Sequence, residues 1–149
     1  MSNVAKRINL VSIKMVKEAS FLYQTRTISS PYDAYEMIKD QLQDLDREQF
    51  IIACLNTKNE PTNITVVSVG SLNKAIVHPR EVFKTAILSN AASIMAFHNH
   101  PSGDTTPSQQ DLQLTNRLYE AGELLGIKLL DHLIIGDGSF TSLKEKGYL

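Results

Sequence analysis

Two histidines one residue apart, His98 and His100, directly follow the apolar run Ser93-Ile94-Met95-Ala96-Phe97. On a strand, residues two apart share a face and lie about 6.5 Å apart along it, so both imidazoles can converge on one metal ion. A carboxylate, Asp111, follows in the first turn of an expected helix. Between them, Pro101-Ser102-Gly103-Asp104-Thr105-Thr106-Pro107 is rich in turn residues, suited to folding the helix start back over the strand end. Two histidines and one carboxylate suit zinc, and three protein ligands leave a position for water, the layout of a catalytic rather than a structural site. A His-x-His pair alone is common in ordinary sequences. Ser108 and Asp111 also satisfy the Ser-x-x-Asp form of a capping box, which needs no metal. One carboxylate oxygen cannot serve both cap and metal.

The elements that must position these residues follow from periodicity. Residues 93–98 read as the strand that delivers the histidines. Gln109–Leu125 reads as a long amphipathic helix carrying Leu112, Leu114, Leu118, Ala121 and Leu125, with Gly126 placed to end it. Upstream, Ser30 caps a helix that begins at Pro31 and runs to Leu42. Residues 49–55 (QFIIACL) read as a buried strand, 56–61 as a turn, and 64–69 as the hairpin partner. Pro79–Leu88 places Val82, Phe83, Ala86 and Ile87 on one helical face. Residues 127–135 (IKLLDHLII) form another strand, and Gly136-Asp137-Gly138 turns into a short last one over 140–143. In the N-terminal extension, 1–29, the alternation Val11-Ser12-Ile13-Lys14-Met15 favours a strand adding to the core. Strands alternating with helices, with hairpins at both ends, predict an α/β (α+β) domain built on a mixed sheet.

Composition bounds the function. The chain has 149 residues, 42% hydrophobic and 21% charged, which fits one soluble domain with a real core. A net charge of −1 argues against a broad basic surface for nucleic acid. The single cysteine, Cys54, cannot form an internal disulfide. With no 18-residue apolar run and no signal-peptide core in the first ten residues, the expectation is a cytoplasmic protein without a membrane partner.

His98-x-His100-x7-Ser108-x2-Asp111 matches the JAMM (MPN-plus) metalloprotease motif at every specified position. The wording His-Asn-His-Pro-Ser-Gly-Asp-x-Thr-Pro-Ser resembles the RadC-like branch of that superfamily. Further similar stretches are Leu45-Asp46-Arg47-Glu48-Gln49-Phe50, Leu55-Asn56-Thr57-Lys58-Asn59, Val77-His78-Pro79-Arg80-Glu81-Val82-Phe83 and Leu130-Asp131-His132-Leu133-Ile134-Ile135-Gly136. The similarity runs from about residue 30 to the C-terminus, so 30–149 is read as the RadC-like domain.

The resemblance implies a JAMM fold, a curved mixed sheet with flanking helices, holding one Zn2+ per chain on His98, His100 and Asp111. It implies that Ser108 helps bind a developing oxyanion and that Glu48, at the entrance to the 49–55 strand, serves as general base and then acid. The implied activity is that of a zinc metallopeptidase, a hydrolase acting on a peptide or isopeptide bond. Asn99 stands where deubiquitinating members usually carry Ser or Thr, which favours the bacterial branch. RadC proteins also resemble one another in an upstream helix-hairpin-helix region associated with DNA, to which the first thirty residues have nothing comparable. A second reading is therefore a metal-binding, non-proteolytic accessory protein that associates with DNA or a DNA-repair or recombination complex. A third is a metal-dependent hydrolase acting on something other than a peptide.

The remaining polar residues have plainer readings. Glu48 could be a solvated residue of a charged turn. Glu81, its rival as the proton carrier, suits the helix dipole as an early helix residue. His132, inside an apolar strand, is expected as a hydrogen-bonded core or near-site histidine rather than a ligand, and His78 as part of a helix entry. Ser102 and Asp104 either line the cleft or shape the loop. Cys54 packs in a buried strand, and Arg47 and Lys58 lie at the surface.

Overall fold

In the computed structural model, which describes residues 3–70 and 77–149, three helices flank one five-stranded sheet. In chain order the elements are α1 (Pro31–Leu42), β1 (Gln49–Leu55), β2 (Pro61–Val69), α2 (Pro79–Leu88), β3 (Ser93–Asn99), α3 (Gln109–Leu125), β4 (Lys128–Ile135) and β5 (Phe140–Ser142). The sheet order is β2-β1-β3-β4-β5, with β3–β4 parallel and every other pair antiparallel. This is the α+β architecture with a mixed sheet that the sequence predicts.

The continuous apolar runs of β1 and β3 are explained by burial on both faces. Phe50, Ile52 and Cys54 of β1, with Ile94 and Ala96 of β3, pack against Val82, Phe83 and Ala86 of α2 and Leu114 and Leu118 of α3. Ile51, Ala53 and Leu55, with Met95 and Phe97, pack on the other face against Ala34, Tyr35, Ile38 and Leu42 of α1. A parallel pair cannot be closed by a tight turn, and α3 supplies the β3–β4 crossover. The crossover brings the C-terminal end of β3, where the histidines sit, beside the N-terminus of α3.

Element ends follow local chemistry. Ser30 caps α1 by accepting the Asp33 N–H, with Pro31 at the first helical position. His78 caps α2 through its ring nitrogen, accepting the Arg80 N–H at 3.1 Å, so its expected place at a helix entry holds. Gly126, at φ +72°, ends α3 in the left-handed region. β2 begins at Pro61, three residues before the predicted start at 64; it is an edge strand, where a residue without an N–H is tolerated. The strand expected over 11–15 is absent: residues 3–20 carry no secondary structure and are exposed. Alternation alone supplies no hydrogen-bonded neighbour, and without a ladder there is no strand. No described helix is long and apolar enough to cross a membrane.

Candidate metal centre

β3 ends in a polar tail whose parity decides its chemistry. His98 continues the Ile94–Ala96 face and lies over Phe50, its register partner on β1, at 6.2 Å between ring centroids. His98 is fully buried, whereas the His100 side chain keeps 15% exposure. Their Nε2 atoms approach to 3.0 Å. Asp111, only 2% exposed, brings Oδ1 to 3.1 Å from His98 Nε2 and Oδ2 to 3.2 Å from His100 Nε2. Among the described residues these three form a group whose ligand atoms all lie within 4.8 Å of one another.

The capping box takes up one oxygen of the Asp111 carboxylate, the one that also faces His100. Oδ2 of Asp111 accepts the Ser108 N–H at 2.8 Å, and Ser108 Oγ accepts the Asp111 N–H at 3.0 Å, a complete capping box. Oδ1 is left facing His98. Ser108 is exposed at the helix start, and its hydroxyl, accepting in the cap, retains a proton to donate.

The nitrogens of His98 and His100 that face away from Asp111 are also committed. His100 Nδ1 donates to the Asp104 carbonyl at 2.7 Å, which leaves the Nε2 lone pair facing His98 and Asp111. His98 Nδ1 lies 2.7 Å from Nε2 of the fully buried His132, whose Nδ1 lies 2.6 Å from Thr115 Oγ1. The loop is shaped as well as held. Asp104 Oδ1 accepts from both the N–H and the hydroxyl of Thr106, and Ser102 Oγ accepts the Asp104 N–H. Thr141 bonds Thr105 at 2.8 Å across to β5.

The electrostatics fit a cation. Burial alone would raise the Asp111 carboxyl, but hydrogen bonds with His100 and His98 hold it far below the usual carboxylate range. The hydrogen bond with Asp111 raises His100 above an ordinary histidine despite burial, and the charges of Asp111 and Glu48 add to it. Burial pushes His132 well below the ordinary value, so it is neutral. Two imidazole nitrogens with lone pairs turned toward each other and toward a carboxylate need a proton or a metal between them. His98 Nε2 lies 3.0 Å from His100 Nε2 and 3.1 Å from Asp111 Oδ1, two separations close to the edge of about 3.3 Å expected for a tetrahedron of ligands at zinc distances.

Glu48 immediately precedes β1, whose Phe50 pairs with His98; it is half-buried, and its charge is felt by His100. Glu81 is exposed on α2 and paired with Lys84 at 2.7 Å. His132 is the near-site histidine expected. Two contributions were not legible beforehand. Thr115 lies one turn beyond Asp111 on α3 and donates to its carbonyl at 2.7 Å, and that i, i+4 spacing was the available signal. Asn99 turns its carboxamide to the backbone on either side of Glu48, a contact between residues fifty apart that no local pattern announces.

The RadC-like JAB domain family matches residues 28–148. The chain belongs to this family. This RadC-like JAB domain is 55% identical over 131 residues to a UPF0758 protein of Moorella thermoacetica, covering 88% of this chain and 57% of that protein. It is 51% identical over 136 residues to the UPF0758 protein YsxA of Bacillus subtilis, covering 91% and 57%. A UPF0758 protein of the archaeon Methanosarcina mazei is 51% identical over 124 residues, covering 83% and 54%. The RadC-like JAB domain thus spans just over half the length of these curated relatives.

Proposed function

We propose that this RadC-like JAB domain is a zinc-dependent metallopeptidase-type hydrolase that cleaves an amide or isopeptide bond. The observation that carries the reading is the convergence of His98 Nε2, His100 Nε2 and Asp111 Oδ1, with the outer nitrogen of each imidazole and the other oxygen of the carboxylate engaged by neighbours. His98, His100 and Asp111 would hold the ion. When bound, zinc supplies a Lewis acid that lowers the pKa of a water to about 7 and polarises a carbonyl.

The protein's own residues supply the rest. Glu48 takes the proton of the attacking water and returns it to the leaving amine, a role that needs a carboxylate near the metal ligands and is supported by the effect of its charge on His100. Ser108 donates its hydroxyl to the carbonyl oxygen as negative charge grows there. Asp111 neutralises part of the ion's charge and anchors α3 to the site.

The test is metal analysis of the purified protein coupled to cleavage of a peptide library, with and without chelator. One zinc per chain and chelator-sensitive cleavage are expected. His98→Ala should lose zinc and hydrolysis together, whereas Glu48→Gln should keep zinc and stop turnover. A zinc-loaded protein that cleaves no library member overturns the peptidase reading, and full activity in Glu48→Gln overturns the role of that residue.

A further inference from the structure

His132 and Thr115 touch no ligand-binding atom, yet they connect two of the three metal ligands. Thr115 Oγ1 lies 2.7 Å from the Asp111 carbonyl and 2.6 Å from His132 Nδ1. The hydroxyl has one proton, and a carbonyl cannot donate, so that proton goes to Asp111. The oxygen of Thr115 must then accept from His132, which places the imidazole proton on Nδ1. A second proton on His132 would bury a cation at a site with no solvent exposure. His132 Nε2 is therefore an acceptor, and His98 Nδ1, 2.7 Å away, is its donor.

We infer that His98, His132 and Thr115 form a one-way hydrogen-bond chain ending on the backbone of Asp111, and that His132 is the positioning residue that fixes His98 with Nε2 turned to the metal. The inference rests on the metal-site reading above. Each link excludes the reverse direction. β4 contributes to the centre without supplying a ligand, because parallel pairing with β3 sets Ala96 beside His132 and so brings this ring under His98. Edge contact with Phe50, 5.5 Å between ring centroids at 77°, packs the ring from a second side. The arrangement couples a strand ligand to a helix ligand, so a shift in one ring is felt at the start of α3.

Two readouts test this without a substrate. The first is the His132 tautomer, read by long-range proton–nitrogen correlation spectroscopy of the wild-type protein, metal-free and with zinc added. A protonated Nδ1 with an accepting Nε2 is expected in both, and a His132 protonated on Nε2 overturns the inference whether or not zinc binds. The second is zinc affinity by chelator competition. His132→Leu should weaken zinc by about 10–100-fold, the usual cost of losing a ligand's outer partner. His132→Gln, whose side-chain oxygen can reach the position of Nε2, should recover most of that loss, and Thr115→Val should fall between them. Wild-type affinity in a folded His132→Leu also overturns the inference. Should His132→Leu fail to fold, Thr115→Val and the wild-type spectra still decide it. Failure of the wild-type protein to bind zinc would instead count against the proposed function, leaving the tautomer result to stand by itself.

Discussion

The side-chain oxygen of Asn99 accepts the backbone N–H of Gln49 at 2.7 Å, tying the residue between the two histidines to the start of β1. Its amide nitrogen donates to the Arg47 carbonyl at 3.0 Å, so one carboxamide grips the backbone on both sides of Glu48. Asn99 shares its face of β3 with Met95 and Phe97, opposite the histidines, and is only 3% exposed. The strand therefore aims its imidazoles with one face and secures the backbone of the candidate proton carrier with the other.

Asn99→Ala should lower stability by about 1–3 kcal/mol, because it leaves partly buried backbone groups without partners. Asn99→Asp keeps the acceptor for Gln49 but sets a carboxylate oxygen against the Arg47 carbonyl, and should not restore stability. Urea unfolding of the three proteins measures this. An Asn99→Ala midpoint equal to wild type would show that the clamp contributes nothing.

Cap and proposed metal ligation can be separated by mutation because the Ser108 N–H bonds Oδ2 of Asp111 and leaves Oδ1 facing His98. Ser108→Ala should cost about 1 kcal/mol as the lost cap of α3 and leave zinc bound. Asp111→Asn keeps an oxygen that can accept the Ser108 N–H, yet removes the charge facing His98 and His100, and should lose zinc. Thermal unfolding and metal content, measured on both variants, give opposite patterns if the division of the carboxylate holds.

How much of this was legible beforehand depends on the range of each contact. α3 and β3 were readable because the 3.6-residue and fully apolar patterns are local, and Asp111 was readable because its spacing from the histidines is set by one loop. Register is not local. Nothing near Asn99 in the chain says that its amide reaches Arg47 and Gln49, and nothing near His132 says that it lies under His98 rather than merely in the core. The residues 11–15 err the other way: their alternation is a real strand pattern without a neighbouring strand to pair with.

Gly136 shows how closely the site loop rests on the sheet. A Cβ there would meet the Gly103 carbonyl oxygen at 2.5 Å and Thr105 Cγ2 at 2.6 Å, so the β4–β5 turn admits the loop only while this position is bare. Gly136→Ala should displace residues 103–105, loosen the Asp104 carbonyl that orients His100, and weaken zinc several-fold or more. The core strands are not involved, so far-UV circular dichroism should be unchanged. Wild-type zinc affinity in this variant would mean that the loop yields without disturbing His100.

Acid and metal should compete at His100. Its hydrogen bond with Asp111 raises its folded pKa above the ordinary value near 6.5, so proton binding favours the folded, metal-free state. That contribution is fully present below the unfolded pKa and is lost as pH rises through the folded one. Metal-free protein should therefore lose stability as pH is raised from about 6 through the His100 titration. Zinc needs the neutral ring, so its affinity should climb over the same interval. The depressed Asp111 carboxyl works in the opposite sense: its contribution is present above the unfolded carboxylate pKa and falls away only in strong acid. Thermal melts across pH, with chelator and with excess zinc, should diverge most on the alkaline side of the His100 titration. Parallel curves would show that proton and metal do not share the site.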